Sequence, residues 1–398
     1  MSLRRWIMSS GCTVQDVFHR FYPDYEKSHA VPAMQRKAAY HIMNCKTGAF
    51  GVNISVCEDC GCISVHYNSC RDRCCPMCQE FPKEKWVDAR REDILDAPYF
   101  HVVFTVPEEL NPVIYSNQEL LYNALYHAAS DTLNELASDK KHLGADIGYI
   151  CILHTWGSAM NFHPHIHAIV LGGGLDAADR WKDNGEDFFL PIKAMSRLFR
   201  GKYLAELKSL WKDDRLEFHG TAEPYKNHYV FRELLDVCYD KEWVPYCKKP
   251  FRGADSVIKY LGKYTHRIAI SNYRIKGLSK THVTYAVKDY KNQGQWTELT
   301  ISGEEFIRRF LMHVPPKRFV RIRHYGLLSS RKKGRKITLC RNLLGCRKYV
   351  SRLKELDAPA IIKLLYGKDV CLCSSCGGKI IPLQEGRHCV TPKPHLIC

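Results

Sequence analysis

The sequence predicts an α+β fold: an antiparallel sheet with helices packed on one of its faces, preceded by a small cysteine-rich module and followed by a basic region that ends in more cysteines. Three observations carry this reading. Between residues 99 and 174 a strand, a helix and two further strands follow one another. Nine of the 19 cysteines lie in the first 80 residues and seven in the last 59. Between Ile307 and Lys354 there are sixteen Lys or Arg and no Asp or Glu, which accounts for almost all of the net charge of +17.

In chain order, the first segment carries Cys57-x-x-Cys60 and, after fourteen intervening residues, Cys75-x-x-Cys78, with Cys45, Cys62, His66, Cys70 and Cys74 around them. Paired knuckles at this spacing supply four soft thiolates to one tetrahedral Zn²⁺, which replaces a core that so short a module cannot build. Such clustering in a reducing compartment points to metal-bound thiolates rather than disulfides.

The charged stretch Lys83 to Leu95 reads as a helix. It leads into Tyr99-Phe100-His101-Val102-Val103-Phe104-Thr105-Val106, a β-branched and aromatic run between two prolines. Glu119 to Leu136 has a helical pattern, Gly148 to Leu153 reads as a strand, and Gly172-Gly173-Gly174 reads as a turn.

The intervening Asn161-Phe162-His163-Pro164-His165-Ile166-His167 is the most informative stretch. In an extended strand alternate residues share a face, so His165 and His167 present two imidazoles side by side, half of a divalent-metal site. His154, eleven residues earlier, and His163, on the same strand face but beyond Pro164, are the candidates for a third ligand. Open imidazole sites suit Mn²⁺ and, less comfortably, Mg²⁺.

Further along, Val257, Ile258 and Leu261 give a helix an inward stripe, and Tyr260 and Tyr264 lie one turn apart with Lys263 beside them. Two segments around Asn292-Gln293-Gly294 read as a β-hairpin. The acid-free segment, interleaved with Phe310, Phe319, Tyr325 and Tyr349, suits phosphate neutralisation and base stacking. Arg331, Lys332, Lys333, Arg335 and Lys336 are its densest group, and Lys259 and Arg267 are further candidate phosphate contacts. Cys373-x-x-Cys376 is a candidate for a second zinc, with Cys389 or Cys398 as completing ligands.

The His-hydrophobic-His strand and the Tyr-x-x-Lys-Tyr helix together resemble the HUH endonucleases. His154-Thr155-Trp156-Gly157, the triple glycine and Tyr264-Thr265-His266-Arg267-Ile268-Ala269 are similar to one branch of them, the two-tyrosine rolling-circle insertion-sequence transposases of the IS-ninety-one type. The resemblance runs roughly from Val14 to Ser271.

It implies an HUH-type sheet and Tyr260 and Tyr264 as nucleophiles assisted by Lys263. It also implies a catalytic Mg²⁺ or Mn²⁺, and zinc held by members of the set Cys45, Cys57, Cys60, Cys70, Cys75 and Cys78. The expected divisions are a zinc-binding DNA-recognition module over 1–92, the nuclease domain over 93–279 and a basic DNA-binding region over 280–398. Expected partners are single-stranded or hairpin DNA ends and a host helicase.

Two other readings stay open: a plasmid replication initiator or relaxase using the same chemistry, and a zinc-dependent nucleic-acid-binding regulator without catalysis. No stretch approaches the ~18 to 20 apolar residues of a membrane span, so a cytoplasmic protein is expected.

Overall fold

The structure is a computed structural model, and it describes residues 11–185, 190–243, 245–251, 254–264, 268–289 and 292–384. The N-terminal part comprises α1 (Val14–Ser28), α2 (Ala33–Asn44), β1 (Val52–Cys57), β2 (Ile63–Tyr67) and α3 (Glu80–Arg91). The central part contains β3 (Tyr99–Thr105), α4 (Asn111–Ser116), α5 (Gln118–Ser138), β4 (Asp146–Trp156), β5 (Phe162–Leu175), β6 (Trp181–Asp183), α6 (Ile192–Lys212), α7 (His228–Asp240), β7 (Tyr246–Phe251) and α8 (Ala254–Tyr264). The last part contains β8 (Ile275–Leu278), β9 (His282–Asp289), β10 (Gln295–Ser302), α9 (Gly303–Leu311), β11 (Ile322–Gly326), α10 (Lys333–Leu344), α11 (Ala358–Tyr366) and β12 (Ile380–Gln384).

The main sheet is antiparallel, in the order β11-β4-β5-β3-β7, with β6 added beside β5. Alternation along its strands sends two sets of side chains to opposite faces. Phe100, Val102, Phe104, Tyr149, Cys151, Leu153, Ile166 and Ala168 pack against α5 and α6 through Leu125, Leu133, Phe199, Tyr203 and Leu207. Tyr99, Ile150, Ile152, Ile169 and Leu171 pack on the other side against α8 and α10 through Val257, Leu261, Ile337 and Cys340, with Trp86 and Val87 of α3 alongside. Helices thus cover both faces. The expectation of one covered face fails because the tyrosine helix α8 packs, with α3 and α10, on the face opposite α5 and α6.

Gly172-Gly173-Gly174 is not a turn but part of β5. A Cβ at Gly174 would lie 2.1 Å from the Asp146 carbonyl oxygen, and one at Gly173 would lie 2.4 Å from the Trp181 ring. Close approach of neighbouring strands explains these glycines.

The acid-free segment is built into the same body. Its residues 322–326 form the edge strand β11, paired with β4 from Ile322↔Ile152 to Gly326↔Gly148. Lys333 of α10 meets Asp93, Lys336 and Arg335 meet Asp179, and Lys332 meets Asp146. Arg331 is exposed.

A second core joins α1 and α2 to the β8-β9-β10 sheet and α9, through Phe18, Tyr22, Ala39, Ile42, Tyr285, Phe306 and Phe310. Helix α1 starts at a capping box, in which Thr13 accepts from the Asp16 backbone N–H and the Asp16 carboxylate accepts in return. Arg73 ties this core to the loop before β11 by donating to the Phe319 and Pro316 carbonyls at 2.6 and 2.7 Å. A third, small sheet runs β12-β1-β2 and brings the C-terminal strand to the N-terminal module.

Candidate metal centre and nucleophile

Antiparallel register assembles the histidines. His154 lies directly opposite His165, Ile152 opposite His167, and β3 flanks β5 on its other side with Val103 opposite His167 and His101 opposite Ile169. Opposed residues share a face, so His154, His165, His167 and His101 all point to the side covered by α8.

Ligand nitrogens of His154, His165 and His167 lie within 4.8 Å of one another. His165 Nε2 and His167 Nε2 are 3.1 Å apart. An ion about 2.1 Å from each nitrogen would set neighbouring nitrogens roughly 3.0 to 3.4 Å apart, so the His165–His167 pair has the spacing of two ligands sharing one cation, with a His154 nitrogen within 4.8 Å of both.

The neighbours fix how these rings are used. His165 Nδ1 lies 2.7 Å from the His163 carbonyl oxygen, which can only accept, so Nδ1 carries the proton and Nε2 keeps its lone pair. Trp156 stacks on His154 at a centroid distance of 4.7 Å and fixes its ring plane. His163, by contrast, is outside the ligand group, and burial lowers its basicity. Of the two candidates for third ligand, the geometry brings in His154.

His167 Nδ1 is 2.8 Å from His101 Nε2, and the Tyr260 phenolic oxygen is 2.6 Å from the same nitrogen. With His167 Nε2 turned to the ion position, its Nδ1 carries the proton, and His101 Nε2 is then the acceptor within reach of two donors. Tyr260 is itself 3.4 Å from His167 Nδ1, so the phenol sits at the edge of the histidine cluster.

Helix α8 delivers Tyr260 because Val257, Ile258 and Leu261 are buried against the sheet and orient the helix. Residues 263 and 264 belong to α8, but the side chains of Lys259, Lys263 and Tyr264 lie outside the described residues, as does Arg267. His101 was not among the sequence candidates. Its signal was present, as the one histidine inside the apolar run 99–106, but its face became readable only from the pairing with β5.

The cysteines divide in a way that corrects the single-site reading of the two knuckles. Cys45, Cys70, Cys75 and Cys78 form one group, whereas Cys57 and Cys60 meet Cys373 and Cys376 in another. In the first, Cys78 Sγ is 3.5 Å from both Cys45 and Cys70, near the edge of about 3.8 Å expected for a tetrahedral zinc with bonds of about 2.3 Å. Hydrogen bonds from Cys45, Cys70 and Cys75 hold the Cys78 thiol far below its ordinary range.

The Asp72 backbone N–H points at Cys70 Sγ, and the Asp72 carboxylate takes the Cys74 backbone N–H and meets the His41 ring. Cys74 is outside the group and buried, which pushes its thiol up to about 12. Among the described residues the two knuckles part because β1 turns Cys57 and Cys60 toward β12, while the loop 70–78 folds back on the end of α2. Cys389 and Cys398 lie outside the described residues.

Comparison with known proteins agrees with this anatomy. A family described as "Transposase zinc-binding domain" matches residues 17–106, and one described as "Putative transposase" matches residues 148–336. The fold and its sites therefore define a transposase with a zinc-binding domain.

A protein from Sinorhizobium fredii called "Putative transposase y4qJ" is 38% identical over 94% of this chain and 96% of its own length. The transposase for insertion sequence element IS801 from Pseudomonas savastanoi pv. phaseolicola is 27% identical over 85% of this chain and 81% of its own. The chain belongs to the IS91-type family of insertion-sequence transposases. A solved conjugative relaxase, TrwC in complex with oriT DNA, overlays on 42% of this chain and 71% of its own with a TM-score of 0.22 and 14% identity, too loosely to bear on the site. No described helix is long and apolar enough to cross a membrane.

Proposed function

We propose that this transposase nicks and rejoins single-stranded DNA at the ends of its mobile element through a 5′-phosphotyrosine, with Tyr260 as the initiating nucleophile. The observation that carries the reading is the 2.6 Å contact between the Tyr260 hydroxyl and His101 beside the three-histidine group.

As the phenolic oxygen attacks the phosphorus in line, its proton passes to His101 Nε2. The new O–P bond replaces the bond to the 3′-oxygen, which leaves and takes up a proton. The bond energy is kept in the ester, so joining is the reverse attack by a 3′-hydroxyl and requires no ATP.

His154, His165 and His167 would hold Mg²⁺ or Mn²⁺, which supplies Lewis-acid polarisation of the scissile phosphate. Tyr264, one turn along α8, would attack a second junction while Tyr260 holds the first end, and Lys263 would grip the phosphate between them. The zinc-binding module and the basic residues of 307–354 would hold the DNA ends.

The test is to incubate the protein with a labelled single-stranded element end and Mn²⁺ and to map any covalent adduct by mass spectrometry of the peptide spanning residues 259–267. An adduct on Tyr260 supports the reading. Binding without any adduct returns the protein to a non-catalytic regulator.

A further inference from the structure

We infer that Cys57, Cys60, Cys373 and Cys376 hold a second zinc ion, shared between the N-terminal zinc-binding domain and a C-terminal ribbon more than 300 residues away in sequence. The family match for the zinc-binding domain covers residues 17–106, so it contains only half of this ligand set.

Backbone pairing positions the two halves independently of any ion. Strand β12 lies antiparallel to β1 with Cys57 opposite Ile380, and the Glu58 N–H donates to the Lys379 carbonyl at 2.9 Å. The two knuckles meet there, with Cys57 Sγ 3.4 Å from Cys376 Sγ and Cys60 Sγ 3.8 Å from Cys373 Sγ.

These separations are much longer than the ~2.05 Å of a disulfide and close to the ~3.8 Å edge of a tetrathiolate zinc site. The C-terminal knuckle also has the backbone of a thiolate cradle. The Ser375 N–H points at Cys373 Sγ and the Gly378 N–H at Cys376 Sγ, each at 3.4 Å. The two halves approach closely at Gly378, where a Cβ would lie 2.3 Å from the Asp59 carboxylate and would displace that side chain.

Four thiols and no carboxylate within the group select a soft ion over Mg²⁺. Metal closure of so long a loop removes much conformational freedom from the unfolded chain and so stabilises the fold.

The experiment is metal analysis of the full-length protein purified under reducing conditions, paired with cobalt substitution read by thiolate-to-cobalt charge-transfer absorbance. Wild type should carry two zinc ions per chain and two tetrathiolate cobalt signals. Cys373→Ser/Cys376→Ser should keep one of each, and Cys389→Ser/Cys398→Ser should keep both. One zinc in wild type, iron in place of the second zinc, or two zincs in Cys373→Ser/Cys376→Ser would overturn the assignment. Should that variant not fold, the wild-type stoichiometry and the Cys389→Ser/Cys398→Ser result still decide.

Discussion

The Tyr260 hydroxyl and the His101 imidazole are hydrogen-bonded at 2.6 Å, although they lie 159 residues apart on a helix and a strand on one face of the central sheet. His101 in turn contacts His167 at 2.8 Å, so a single nitrogen links the candidate nucleophile to the candidate ion site.

That link predicts a separation of functions. His101→Ala should lower the rate of adduct formation by roughly 10²- to 10⁴-fold, the range for a positioned proton acceptor, while DNA affinity stays within a factor of a few. Raising the pH should restore part of the lost rate, because hydroxide then removes the phenolic proton. A variant with unchanged nicking would leave His101 as packing only.

The tyrosines should behave as a pair. Tyr260→Phe keeps the ring and loses one oxygen, so folding is preserved and initiation falls, while Tyr260→Phe/Tyr264→Phe forms no adduct at all. An adduct that persists in the double variant would overturn the two-tyrosine reading. His165→Ala should abolish cleavage and leave binding largely intact, as should chelation of the wild type, since ion loss removes the Lewis acid and not the basic surface.

Within the zinc-binding module, Cys70→Ser/Cys75→Ser should lose one zinc and open the second core, because Cys45, Cys74 and Cys75 are packed with α1 and α2. Proteolysis before Arg90 and a lowered melting temperature are the readouts. Full zinc content in that variant would contradict the first site.

Salt dependence should distinguish the more exposed basic side chains from the more buried ones. Arg331→Gln/Lys332→Gln/Arg335→Gln removes the more exposed charges and should flatten the dependence of log K on log salt, by up to ~0.7 for each single-strand phosphate that is no longer neutralised. Lys333→Gln/Lys336→Gln should mainly cost stability, since Asp93 and Asp179 already occupy those ammonium groups. Equal slopes for wild type and the triple variant would make the segment an ordinary solvated face.

Acid should destabilise the fold between about pH 6.5 and 4. Burial lowers His313 and His324 to about 4, so between those values the unfolded chain binds protons that the folded one does not. Stability is therefore complete above the unfolded pKa and falls as pH drops, by roughly 3 kcal/mol for a buried imidazole such as His313 once pH passes below its folded value. His313→Gln should flatten the melting temperature against pH over this window. An unchanged profile would show that other groups set the acid limit.

How much of this was legible in the sequence depended on how local each signal is. The period-2 placement of His165 and His167 and the one-turn spacing of Tyr260 and Tyr264 are set by backbone geometry alone, so they could be read directly. The choice between His154 and His163 could not, because it depends on which residue of β4 lies opposite His165.

His101 was hidden for the same reason. The knuckles misled because a fourteen-residue gap suits closure on one ion as well as it suits two separate halves. The triple glycine read as a turn because sequence alone does not distinguish freedom of backbone from close approach of a neighbour.

The pairing of β1 with β12 also orders events during synthesis. Strand β1 is made well before its outer partner at residues 380–384, and β4 waits likewise for β11 at residues 322–326. Contacts of such long sequence separation form late and slowly. A nascent chain interrupted before residue 322 therefore carries both candidate tyrosines and the three histidines of the candidate ion site on an unfinished sheet, and the proposed cleavage centre has its full scaffold only after β11 has been made.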